Sequence, residues 1–155
     1  MSREYILLND FLSINITKND NKQSEKNNKN SFYFECENII DEYLLMNNSE
    51  ELKYFIETKC LDAINKNILC EVLIEKYFNE NNDNNRELIQ LIKSLISSQH
   101  LFKNNISKGL QLFYNSWNDK MIDYDNPNNK MKLLLNTLKT LNIKNIDYIF
   151  NNFLN

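Results

Sequence analysis

The chain has 155 residues, with 21 acids against 18 bases and a formal net charge of −3. A compact fold of that length buries roughly 68–70% of the surface its unfolded chain exposes, so one core is expected without metals or disulfides to hold it. The acidic balance argues against direct RNA or DNA binding, which needs a basic stripe to replace counterions. The charge is also uneven: residues 31–60 carry seven acids and two bases, whereas residues 61–118 carry six of each. The first helical segments therefore form an acidic face suited to a basic protein partner.

Cys36, Cys60 and Cys70 are odd in number, lack a paired short spacing and fall within apolar helical patterns, where a thiol behaves as a small buried hydrophobe. That usage fits a reduced, intracellular chain, and a cytoplasmic location is expected. No signal-peptide pattern and no apolar run of roughly 18 residues is present, so the chain is expected to be soluble, with no membrane contact. Asparagine supplies 30 of the 155 residues, a bias expected of strongly AT-rich codons. On that view the runs Asn19 to Asn30 and Asn79 to Asn85 are polar connections.

In chain order, the segment Tyr5 to Ile16 is too apolar for a free tail and is expected to pack on the domain; Lys18 to Asn30 follows as a linker. Residues 1–30 thus read as arm and linker, and 31–155 as the helical domain. Helix 1 is predicted from about Phe32 to Met46, with Cys36, Ile39, Ile40 and Tyr43 on one side. Asn47-Asn48-Ser49 breaks it, and Asn48 with Glu51 has the spacing of an N-cap facing a capping glutamate. A short second helix turns Leu52, Phe55 and Ile56 inward and gives way near Lys59. Helix 3 carries the stripe Ile64, Ile68 and Val72 and ends near Phe78. Helix 4 is predicted over Asp83 to Ser97, with Leu88, Leu91, Ile92 and Leu95 inside. Helix 5 has the cleanest period, Ile106, Leu110, Phe113 and Trp117. Helix 6 starts at Pro127, whose fixed φ suits a first helical turn, with Met131, Leu134, Leu135 and Leu138 inward. A closing helix from about Lys144 presents Ile146, Ile149, Phe150 and Phe153.

Short connections make neighbouring helices antiparallel, so the fold class is all-α: a HEAT-like α-solenoid of three stacked antiparallel helix pairs plus a C-terminal helix and an N-terminal arm. A single helical bundle is the competing architecture, which periodicity does not separate from it.

Three stretches carry a family likeness. One runs from Ile39 through Asp41-Glu42-Tyr43-Leu44-Leu45 to Glu51. Another is Gln90 to Ile96 followed by Gln99-His100-Leu101 and Gly109-Leu110. The third is Asp125 with Pro127. Their order and spacing, over about residues 33–142, resemble the MA-3 domain, the helical repeat module of the translation initiation factor 4-gamma scaffold and of programmed cell death protein 4. The resemblance implies an adaptor that binds the DEAD-box RNA helicase initiation factor 4A through acidic side chains and modulates translation initiation. Glu42 occupies the place of the family's first-helix acid. Glu80 fits the acid that closes the third helix, shifted by one residue, with Glu75 as the fallback. Asp125 matches the loop acid before the sixth helix. The companion four residues earlier is Met121 here, a departure from the pattern, and Asp119 or Asp123 is then expected to supply that charge.

Each of these residues also has a plainer reading. Asp125 suits a helix stop and start, Glu42 a solvated helix face, and Glu80 a polar turn. His100 is the only histidine and reads as a helix-end residue, with no second imidazole for a metal site. Gly109, the only glycine, excludes a glycine-rich phosphate loop; inside helix 5 it costs roughly 1 kcal/mol relative to Ala and points to close approach of a neighbouring helix. Phe113, Tyr114 and Trp117 read as core, although Trp117, near the acidic loop, also suits a partly exposed anchor. No catalytic constellation is present, and neither enzymatic activity, a cofactor nor a metal is expected. A different class remains open: an all-α interaction protein that holds a partner's amphipathic helix in an apolar groove.

Overall fold

A computed structural model describes residues 30–154. The chain divides into two units, Met1–Glu35 and Cys36–Asn155. The expectations for the N-terminal arm, including its packing on the domain, and for the linker up to residue 29 lie outside the described residues, while Asn30, read as the end of that linker, is helical.

The described residues are helical and include no strand. Helix α1 occupies residues 30–46. It is followed by α2 (Glu50–Lys59), α3 (Ala63–Asn79), α4 (Asn82–Ser97) and α5 (Lys103–Tyr114). Then come α6 (Trp117–Lys120), a 3₁₀ turn (Met121–Asp123), α7 (Pro127–Thr140) and α8 (Asp147–Leu154). This is the all-α, hairpin-by-hairpin order expected of a solenoid.

Helix α3 is the centre of the domain. Ile68, Leu69, Cys70, Val72, Leu73, Ile74, Tyr77 and Phe78 are all buried, so it is apolar on nearly every side, as a helix surrounded by others must be. Its main neighbour is α5, with α4 also against it. The α3–α5 crossing depends on Gly109: a Cβ there would stand 2.5 Å from the Cys70 Cβ and 2.8 Å from the Glu71 backbone nitrogen. The close approach expected from a mid-helix glycine is thus present, and its partner is α3. The flanking helices are amphipathic, α4 burying Leu88, Leu91, Ile92 and Leu95 and α7 burying Met131, Leu134, Leu135 and Leu138.

Several local expectations change. Asn79 to Asn85 is not one connection: Asn81 caps α4, its Oδ1 accepting the Asn84 N–H at 3.1 Å, and Asn82 to Asn85 form the first helical turn. The cap of α2 shifts too. Ser49 takes the N-cap position, the Asn48 Oδ1 accepts from the Glu50 N–H at 3.0 Å, and Glu51 makes a different contact, described below. Ile64 is exposed, so the inward stripe of α3 starts at Ile68. The periodicity of helix 5 runs on to Trp117 through a break: α5 stops at Tyr114 and Trp117 starts α6. The closing helix begins at Asp147, three residues later than the apolar pattern alone places it.

Asparagine does more here than connect. Asn47, Asn126, Asn142 and Asn145 adopt positive φ, each at the entry to or exit from a helix, and Gln99 does likewise after α4. Asparagine tolerates the left-handed region better than other non-glycine residues, and this chain's one glycine is committed to the α3–α5 crossing.

Among the described residues no helix is long and apolar enough to cross a membrane, and no group of three His, Cys, Asp or Glu is placed to hold a metal ion. All three cysteines are buried.

Candidate protein-binding surface

Of the acids singled out in the sequence, Glu42, Asp119, Asp123 and Asp125 fall into two patches. The first lies at the α1–α2 turn. Glu42 on α1 meets Glu51 on α2, and the hydrogen bond between the two carboxyls raises the Glu42 pKa above its ordinary value, helped by repulsion from Glu51 and by slight desolvation. Two exposed carboxyls thus lie near one another. Next in sequence, Asp41 is held by Lys76 of α3 at 2.7 Å.

The second patch surrounds the α6–α7 connection. Asp119 sits on α6, Asp123 ends the 3₁₀ turn, and Asp125 lies in the loop before Pro127, all three exposed. Asn126 takes a left-handed conformation, φ 47°, which turns the chain into α7 with Pro127 in its first turn. Behind the loop, Lys120 pairs with Glu75 of α3 at 3.6 Å. Tyr124 is raised to about 12, mainly by burial and then by the charges of Glu75 and Asp123. Glu75 and Lys76 are consecutive on α3, so two ion pairs fix both patches to the same turn of the central helix.

Glu80 is placed differently. It is the C-cap of α3, its carboxylate accepts from the Asn84 Nδ2 at 2.9 Å, and its carbonyl accepts from Lys130 at 3.2 Å. Those contacts hold the α3–α4 turn against α7. Glu75, the fallback, is the α3 acid that stands at the loop. Met121 is half-buried at the start of the 3₁₀ turn and presents no charge, so the acids nearest that place are Asp119 and Asp123.

Trp117 is 4% exposed and is not an anchor at the surface. It packs edge-on to Phe78, with ring centroids 5.2 Å apart, and against Phe153 at 5.7 Å. Phe78 also stacks on Phe113 at 4.9 Å. This aromatic cluster is the rigid floor beneath the loop. At the two patches the exposed apolar residues are ones that the sequence periodicity did not mark: Leu45, 85% exposed, and Met46 near Glu42, and Ile122, 81% exposed, between Asp119 and Asp123. Each acidic patch therefore carries an apolar side chain of the kind that interface centres use. The signal for Ile122 is its position one residue outside the period that buries Phe113 and Trp117.

His100 is a fastening. Its Nε2 lies 2.8 Å from the Glu57 Oε1 of α2, and its Nδ1 2.7 Å from the Ser98 Oγ at the end of α4. The Ser98 hydroxyl also reaches the Leu95 carbonyl at 3.3 Å, a helix-end contact. The arrangement ties the α4 exit to α2, as a helix-end role requires.

A family model described as the MA3 domain matches residues 34–146, about three quarters of the chain. Searches of curated proteins and of solved structures find no match. The matched range runs from α1 through the turn before α8 and so contains both acidic patches and the α3–α5 crossing that joins them. The chain belongs to the MA3 domain family, a family of helical protein-interaction modules.

Proposed function

We propose that this chain is an adaptor that binds a DEAD-box RNA helicase of the initiation factor 4A kind through its two acidic patches, and that it modulates translation initiation in the cytoplasm. Protein is the partner, and neither nucleic acid nor membrane takes part. The observation that carries the reading is the exposed pair Glu42 and Glu51, close enough for Glu51 to raise the Glu42 pKa. A Lys or Arg from a partner relieves that repulsion, and the exposed Leu45, Met46 and Ile122 supply the apolar area that charge alone lacks. In the second patch Asp125, Asp123 and Asp119 lie on a short connection over a packed aromatic floor, so their positions are set before binding and little ordering entropy is lost.

The test is calorimetry with purified helicase from the same source at two salt concentrations, the natural chain beside Glu42→Ala with Asp125→Ala. Salt-sensitive, saturable binding that the double variant loses supports the reading. Absence of binding at tens of micromolar overturns it. RNA unwinding assays in the presence of the chain then decide between a partner that supports the helicase cycle and one that blocks it.

A further inference from the structure

A groove of about 480 Å³ lies between α4 and α7, lined by Tyr77, Asn85, Arg86, Ile89, Lys130 and Leu133 among others. Asn85 is 7% exposed, and its Oδ1 is buried without a hydrogen-bond partner. A buried, unpaired amide oxygen is a cost the fold gains nothing from, and each such group calls for a reason. In the same lining, Ile89 is half-buried and Leu133 is 64% exposed, two apolar side chains that solvent reaches.

The charge of the groove is opposite to that of the acidic patches. Among the described residues its lining includes Arg86 and Lys130 and no carboxylate. Arg86 is paired with Asp83 at the surface, 3.1 Å away. Lys130 donates to the Phe78 and Glu80 carbonyls at 2.9 and 3.2 Å, so dipoles and no carboxylate meet its charge. The Lys130 backbone is fixed in turn, its carbonyl accepting from the Tyr77 hydroxyl at 2.8 Å. The cation is thus held in place by the end of α3.

We infer that this groove receives an extended peptide segment of a partner protein, with one apolar side chain seated on Ile89 and Leu133, acidic residues flanking it beside Lys130, and a backbone amide paired with the Asn85 carboxamide. An extended residue presents its own N–H and C=O along one edge, so it can pair with the oxygen and the nitrogen of the carboxamide together. An amphipathic helix is a poorer fit, because it offers no free backbone amide in mid-helix and the groove supplies two apolar side chains where a helix needs a stripe. The site is separate from the acidic patches and does not depend on the helicase reading.

The experiment is an NMR titration of the ¹⁵N-labelled chain with the capped peptide acetyl-Glu-Leu-Glu-methylamide, and separately with acetyl-Lys-Leu-Lys-methylamide. Shifts from the acidic peptide are expected on Asn85, Ile89, Leu133 and their neighbours, with at least about fivefold weaker binding of the basic peptide. Leu133→Lys, at an exposed position, is expected to abolish the shifts. Asn85→Ala is expected to weaken binding about tenfold without lowering the melting temperature, because no partner within the fold is lost. The inference is overturned if the acidic peptide gives no shifts in the groove up to about 10 mM, if the basic peptide binds equally well, or if Leu133→Lys leaves the shifts in place. It is also overturned if Asn85→Ala lowers the melting temperature by several degrees, which would make Asn85 a fastener of the fold. Shifts at these residues that grow with protein concentration alone would assign the groove to a second copy of the chain and overturn it likewise.

Discussion

At the crossing of α3 and α5 the backbone of one helix lies so close to the other that Gly109 has no room for a methyl group, and beside it Phe78, Phe113 and Trp117 fill the space ring against ring. At the α1–α2 turn and in the α6–α7 connection the arrangement is the reverse: carboxyls point into solvent, Glu42 faces Glu51, and Leu45 and Ile122 are left uncovered. The first region is specified by volume, and almost any change there should reach the whole domain. The second is specified by charge and exposure, and changes there should leave the fold intact while altering what it binds. The difference separates what holds this domain together from what it exposes to solvent.

The comparison is broken most forcefully at Phe78. Phe78→Ala removes the ring shared by Phe113, Trp117 and Tyr124, and a loss of about 3–5 kcal/mol is expected in urea unfolding followed by circular dichroism. A loss under about 1 kcal/mol would mean the cluster collapses around the hole and is not the floor of the loop. Gly109→Ala comes next. It gains helix propensity, roughly 1 kcal/mol, yet sets a methyl against the Cys70 Cβ and the α3 backbone, so a net loss of about 1–3 kcal/mol is expected. A stabilised variant would show that α3 and α5 separate readily.

At the edge, Ile122→Ser is expected to change stability by no more than about 0.5 kcal/mol, since the side chain is mostly exposed, and to weaken helicase binding measurably by calorimetry. Equal binding would leave the apolar part of that patch without a role. The smallest effect belongs to Glu51→Gln. The Glu42 pKa is raised in the folded chain, so the pair favours the shared proton: its contribution is present below the ordinary carboxylate range and is lost as pH rises through the raised value. Removing the Glu51 charge should move the Glu42 titration, followed by NMR, back down toward the ordinary value and leave neutral-pH stability unchanged or slightly higher. A Glu42 titration unmoved by Glu51→Gln would mean the two carboxyls do not meet.

The core was legible from sequence because burial obeys a period. Leu88, Leu91, Ile92 and Leu95, or Met131, Leu134, Leu135 and Leu138, recur at helical spacing and are buried as that spacing requires. The lone glycine was legible for the same kind of reason, since an unfavourable residue in mid-helix needs a neighbour to justify it. Helix ends were not. Asn79 to Asn85 reads as a polar run, yet five of its seven residues are the cap and first turn of α4, because asparagine serves caps, turns and left-handed exits alike. The break between Tyr114 and Trp117 was hidden because both sides keep their aromatic residues in one cluster. The acidic surface was legible as charge and as a family likeness. What needed three dimensions was the pairing of Glu42 with Glu51, the use of Glu80 as a cap beside Lys130, and the exposure of Ile122, none of which a spacing rule expresses.

The most direct test of the central claim is the affinity of the chain for an initiation factor 4A helicase, measured by calorimetry at low and high salt with Glu42→Ala combined with Asp125→Ala beside the natural sequence. Removing one exposed acid from each patch is expected to weaken binding measurably, with salt weakening the natural complex and the melting temperature unchanged. Undiminished, salt-independent binding by the double variant would contradict the account, because the two acidic patches would then not be the surface that the partner meets.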